Sequence, residues 1–167
     1  MPELKPLPKE AVPEAHEKAK HYRYLGASWQ AESICRDILE TDPDNQEVIN
    51  TLVLAITDQF ESFARTSPAY ALEMANKLTD PYKAEYCKGL IYERRAIATY
   101  KRNLEGGGSM AYTHFERAMQ HYENAEKHEP GDKKVSILRW NACARFINQF
   151  KLSPPTEETG VEPFLDV

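Results

Sequence analysis

The chain has 167 residues, 41% hydrophobic and 28% charged, which is enough to bury one domain-sized core and too apolar for a disordered segment. A net charge of −5 argues against a nucleic-acid binder, because phosphate neutralisation by Lys and Arg supplies most of such a protein's affinity. No apolar run approaches the roughly 18 residues of a membrane span, and the opening Met1-Pro-Glu-Leu-Lys-Pro lacks the apolar core of a secretion leader, so no membrane partner and a cytoplasmic location are expected.

Residues 1–11 read as an N-terminal extension, 12–150 as one helical domain and 151–167 as a tail. Helix formers dominate, and the apolar–polar alternation of strands is nearly absent, so the fold class is all-α. The first unit contains Ala19-x-x-Tyr22, Gly26, Ala31-x-x-x-Cys35 and Ile38, and closes at Glu40-Thr-Asp-Pro43. In the second, Leu52, Val53 and Ile56 suit a first helix. Ala71, Leu72, Ala75 and Leu78 suit a second over about Pro68–Leu78, closing at Leu78-Thr-Asp-Pro81. The third has Gly89-x-x-Tyr92, then Ala118-x-x-x-Tyr122 and Ala125, and closes at Lys127-His-Glu-Pro130.

Ala31, Cys35 and Ile38 stand twelve, eight and five residues before Pro43, and Ala118, Tyr122 and Ala125 stand at the same distances before Pro130. Each closing acidic residue and proline stops one helix and starts the next, since proline lacks an N–H and acids favour a helix N-terminus. Gly89 and Ala118 are 29 residues apart, so the third unit holds an insertion. It reads as a long first helix over Tyr82–Leu104, a turn at Gly106–Ser109 and a long second helix over Met110–Lys127, projecting roughly 10 Å beyond its neighbours. A last helix over about Lys133–Phe150 turns Val135, Leu138, Ala142 and Phe146 to the core and caps the stack.

These small-residue positions and closing prolines, over about residues 12–148, resemble the tetratricopeptide-repeat pattern. Phrases such as Ala31-Glu-Ser-Ile-Cys-Arg-Asp-Ile-Leu, Tyr92-Glu-Arg-Arg-Ala and Leu138-Arg-Trp-Asn-Ala-Cys-Ala-Arg are similar to a group of bacterial tetratricopeptide proteins that carries no known activity. The prolines are 38 and 49 residues apart, against the 34-residue standard, and the second unit is degenerate. The resemblance implies a right-handed superhelix of about three helix pairs plus a C-terminal capping helix, with the third pair elongated. It also implies a non-catalytic protein–protein interaction scaffold or adaptor, whose first helices line a concave groove.

Carried over position by position, the groove would take His16, Lys20, Arg23 and Tyr24 from the first unit and Glu47, Asn50, Leu54 and Asp58 from the second. The third would add Lys83, Tyr86, Leu90 and Arg94, and the last helix Arg139. Cations, an amide and aromatic edges suit an acidic or amphipathic peptide; the bland alternative is ordinary solvated helix faces. Relatives that clamp chaperone C-termini use a Lys, Asn, Asn, Lys, Arg set, whose positions here hold His16, Lys20, Thr51, Lys83 and Cys87. Only Lys83 matches, so the resemblance does not extend to that clamp.

The tail from Leu152 has four acidic residues, no basic one and three prolines. It is either a solubilising end or a segment anchored by Phe164, Leu165 and Val167 on its own chain or a neighbour's. Self-association through the insertion or the tail is the alternative function.

Nothing announces catalysis, a metal or a cofactor. Gly106–Gly108 lacks a following Lys-Ser/Thr, and no nucleophile-elbow or zinc-protease motif occurs. His114, His121 and His128 recur every seven residues, about 10.5 Å apart along a helix, which is too far to share one ion. Glu17 and His21 could chelate, but such pairs are common on solvated faces. Cys35, Cys87 and Cys143 are too few and too scattered for a disulfide framework or a zinc site, and read as reduced. Trp29 and Trp140 read as packing anchors.

Overall fold

The computed structural model describes residues 1–62 and 67–156. Among them are seven α-helices and no strand. They are α1 (Val12–Tyr24), α2 (Ser28–Thr41), α3 (Gln46–Thr57), α4 (Pro68–Asn76), α5 (Pro81–Lys101), α6 (Gly107–Glu126) and α7 (Val135–Phe150), after a short 3₁₀ turn at Lys9–Ala11. The starts are written in the sequence. Asn45, Ser67 and Asp80 each cap the helix that follows by accepting a backbone N–H, and Pro68 and Pro81 occupy first-turn positions where no donor is needed.

Helices of 12 to 14 residues, such as α1–α3, are marginal alone in water, so packing sustains them. Each packs on the next in sequence, and α3 also touches α1 and α5. The repeat positions Ala19, Ala31, Cys35, Ile38, Ala71, Ala75, Ala118, Tyr122 and Ala125 are all buried. Two apolar clusters result. One joins α1–α4 to Cys87, Ile91 and Ala98 of α5, and the other joins Leu90, Tyr92 and Ala96 of α5 to α6 and α7. Helix α5 is therefore buried on two sides and links the halves. The N-terminal extension is tied down where the Thr41 hydroxyl donates to the Leu7 carbonyl at 2.9 Å.

The long hairpin α5–α6 forms as expected, with a shifted turn. Asn103 in the left-handed region ends α5, and Gly106, at φ 73°, precedes α6 directly. Gly107, Gly108 and Ser109 therefore belong to the helix and not to the turn.

The last helix is rotated from expectation. Leu138 is 63% exposed and Ser136 and Cys143 are buried instead, while Phe146 packs on the second cluster as expected, together with Ile147. The rotation follows from polar contacts. The Glu129 carboxylate accepts the Val135 and Ser136 amides at 2.6 and 3.3 Å, and Arg139 reaches across to Glu93 on α5. Trp29 is likewise no anchor, being 60% exposed at the start of α2, while Trp140 is partly buried and donates to Glu123 at 3.0 Å.

Candidate functional site

The expected first helices do meet, and they meet in register. From α1 to α3, the His16 ring bonds to Thr51 at 2.8 Å and Arg23 donates to Asp58 at 2.6 Å, both 35 residues apart in sequence. From α3 to α5, Lys83 pairs with Glu47, the Cys87 thiol donates to Asn50 at 3.2 Å and Arg94 pairs with Asp58, at separations of 36, 37 and 36. A constant separation means that the three helices run parallel, with equivalent positions side by side.

Asp58 sits where the three helices come together. It caps the C-terminus of α3 and receives both Arg23 and Arg94. Arg94 also donates to the Thr57 hydroxyl at 2.8 Å and the Leu54 carbonyl at 3.5 Å, so its charge lies at the negative end of the α3 dipole. The Thr51 hydroxyl donates to the Glu47 carbonyl at 3.0 Å, so it can only accept from His16, which fixes the His16 proton on Nε2. Burial, then the charge of Lys20, pushes the His16 pKa down.

A second cluster joins α5, α6 and α7 around Glu93, which is 3% exposed. Its carboxylate accepts the Tyr122 hydroxyl at 2.6 Å and a two-pronged contact from Arg139, whose Nε lies at 3.1 Å. Burial works against the Arg139 charge, but Glu93 outweighs it and holds the guanidinium more firmly protonated. Burial and then Glu93 push the Tyr122 phenol up. Neither Glu93 nor Tyr122 stood out as polar machinery in the sequence. Glu93 lies in the mixed-charge run Tyr92-Glu-Arg-Arg, which looks like a solvated face.

The cations on this face therefore fall into two groups. Arg23, Arg94 and Arg139 are partly buried and held by carboxylates of neighbouring helices. Lys20 and Lys83 are about as exposed as Arg139, but they pair with Glu17 and Glu47, which are largely exposed, whereas Asp58 and Glu93 are mostly buried. Tyr86 is half-buried between the rings of Tyr82 and Tyr122, each 5.7 Å away. Leu90 is 5% exposed inside the second cluster and offers a partner little surface.

The three histidines do not act as a set. His121 bonds to Glu85 at 2.8 Å and stacks on Tyr92, whose ring lies 5.5 Å away, while His114 is buried 6.3 Å from that same ring. His128 lies beyond the end of α6. Burial opposes the Glu85 charge, yet His121 and Lys88 hold its carboxyl below the ordinary value. Glu17 turns to Lys20. Among the described residues no three His, Cys, Asp or Glu side chains converge as a metal site would require. The tail residues Phe164, Leu165 and Val167 lie outside the described residues. Comparisons with protein-family models, curated proteins and solved structures found no match.

Proposed function

We propose that this chain is a tetratricopeptide-like scaffold, a right-handed superhelix of three helix pairs closed by α7. It acts without catalysis, in the cytoplasm, by holding an acidic or amphipathic partner segment on the face shared by α1, α3, α5 and α7. The constant register of 35 to 37 residues between contacting positions of α1, α3 and α5 carries this reading. It supports a row of equivalent positions along which an extended peptide could lie.

The two groups of cations have different tasks in this account. Arg23, Arg94 and Arg139 set the spacing of the helices. Lys20 and Lys83 meet the partner, because exposed ion pairs such as theirs contribute little and an incoming carboxylate can replace Glu17 or Glu47. His16, Asn50 and Tyr86 complete the surface between them.

Selection from a peptide library tests the proposal. Acidic amphipathic peptides should be enriched on the full chain and lost on Lys20→Glu/Lys83→Glu. Enrichment of basic peptides, or equal binding to both proteins, would count against it.

A second reading is favoured by one observation. Tyr24, Leu25 and Trp29, a cluster in sequence where α1 ends and α2 begins, are exposed, and Leu25 and Trp29 line a hollow of ≈ 460 Å³. If this cluster pairs two copies, light scattering will show a dimer that Trp29→Lys returns to a monomer.

A further inference from the structure

Each even-numbered helix bridges its two neighbours. Helix α2 lies against α1 and α3, α4 against α3 and α5, and α6 against α5 and α7. Among the described residues no helix follows α7, so its flank beside α6 has no such bridge. A trough runs along that flank. Its wider part, ≈ 580 Å³, lies between Met119 and Glu123 of α6 and Trp140 and Ile147 of α7. A narrower part, ≈ 170 Å³, continues past Glu123 and Trp140 to Glu126 and Ile137.

Both walls are written in the sequence at helical spacing. Tyr112, Glu116, Met119 and Glu123 follow one another at steps of four, three and four, and Trp140, Ala144 and Ile147 at four and three. Met119, Trp140, Ala144 and Ile147 are only partly buried, so they form an apolar floor that a further side chain can reach. Ser136 and Asn148 line its two ends, which makes the trough roughly 18 Å long at about 1.5 Å per residue of α7. That is the length of a helix of 12 residues, the size of α3.

The rim is anionic. Glu116, Gln120 and Glu123 stand exposed along α6, and among the described residues no Lys or Arg lines either part. Glu123 accepts the Trp140 indole N–H at 3.0 Å, and the Glu116 charge pushes the neighbouring Tyr112 phenol up. Neither of those partners brings a positive charge. Only Glu126, at the narrow end, has a cation beside it, with Lys134 at 4.0 Å.

We propose that this trough seats one amphipathic helix of a partner protein, with an apolar stripe over Met119, Trp140 and Ile147 and Lys or Arg along the edge that meets Glu116 and Glu123. Such a helix would bridge α6 and α7 as the even-numbered helices bridge their own neighbours. A second copy placed face to face would set Glu116 and Glu123 against like charges. Residues 157–167 hold four acids and no base, which is also the wrong sign. The site shares no residue with the row of Lys20, Asn50, Lys83 and Tyr86, so it is a second binding surface.

A segment this short is marginal as a free helix in water, so linear peptides do not sample the trough and the probe must be held helical. A stapled helix of about fourteen residues, its Leu stripe flanked by Lys, is titrated into the full chain and followed by NMR. It should move the Trp140 indole signal and the amides of Met119, Gln120 and Ala144. Glu116→Lys/Gln120→Lys, at two exposed positions, should weaken binding by about tenfold or more. A still Trp140 signal would overturn the proposal. So would an equal response to the same helix with Glu for Lys or with its Leu stripe scattered, or shifts gathered on α1 and α3. A Trp140 signal that moves when the protein alone is diluted would place a second copy in the trough. One that moves in full-length Phe164→Asp/Leu165→Asp would place the chain's own tail there, and either result would overturn the partner helix.

Discussion

A methyl group on Gly89 would lie 2.5 Å from Cε1 of Tyr122, so these two residues set how closely α5 and α6 approach. The Tyr122 ring cannot simply step aside, because it is buried and its hydroxyl is bonded to Glu93. Gly89→Ala would gain about 1 kcal/mol of helix propensity, yet overpacking of this kind costs about 1–3 kcal/mol and strains the Glu93 contact as well. Net destabilisation is expected, read as a lower urea midpoint. A higher midpoint would show that the hairpin opens without cost.

The Glu93–Arg139 pair makes a different prediction. Removing one member of a buried pair leaves a charge uncompensated and costs about 3–5 kcal/mol, while replacing both with apolar groups is often close to neutral. Because the Arg139 side chain is about one-third exposed, its loss belongs near or below the low end. In denaturant melts Arg139→Met should be clearly destabilised, and Glu93→Leu/Tyr122→Phe/Arg139→Met, which also removes the Tyr122 hydroxyl that Glu93 accepts, should recover much of the loss. Additive losses would mean that the two residues act independently.

Stability should also depend on pH through His16. Its pKa in the folded chain lies below the ordinary value of 6.5, so as pH falls the unfolded chain takes up the proton first. The contribution is complete above 6.5 and is lost as pH drops from there through the folded value. Urea midpoints from pH 8 to pH 5 should therefore fall less steeply for His16→Gln than for the natural chain. Parallel curves would show that burial and the charge of Lys20 do not favour the neutral ring.

All three thiols are buried, and burial pushes those of Cys35 and Cys87 up to about 12 and that of Cys143 upward as well. The thiolate is the reactive form. A thiol reagent at pH 8 should leave all three untouched in the folded chain and titrate three on unfolding. Rapid reaction of any one without denaturant would reveal local opening around it.

Size and spacing made much of the fold legible. Ala31, Cys35 and Ile38, with their counterparts Ala118, Tyr122 and Ala125, are buried because helical period and side-chain volume decide such contacts locally. The parallel first helices follow from the same periodicity. Long-range polar contacts were not legible. Leu138 has the spacing of a core residue, but the Glu129 cap and the Glu93–Arg139 pair turn it outward. Those contacts span six or seven residues for the cap and 46 for the pair. The candidate face shows the same division. His16, Arg23, Asn50 and Arg94 could be placed by counting, yet nothing in the chain's order shows that Asp58 draws in two of its arginines.

The most direct test of the scaffold is to map where a bound acidic amphipathic peptide perturbs the full chain's amide spectrum. Shifts should cluster on α1, α3 and α5 around Lys20, Asn50, Lys83 and Tyr86, and Lys20→Glu/Lys83→Glu should abolish them. Shifts confined to α2, α4 and α6, or persisting in that variant, would contradict the assignment of this face as the partner's site.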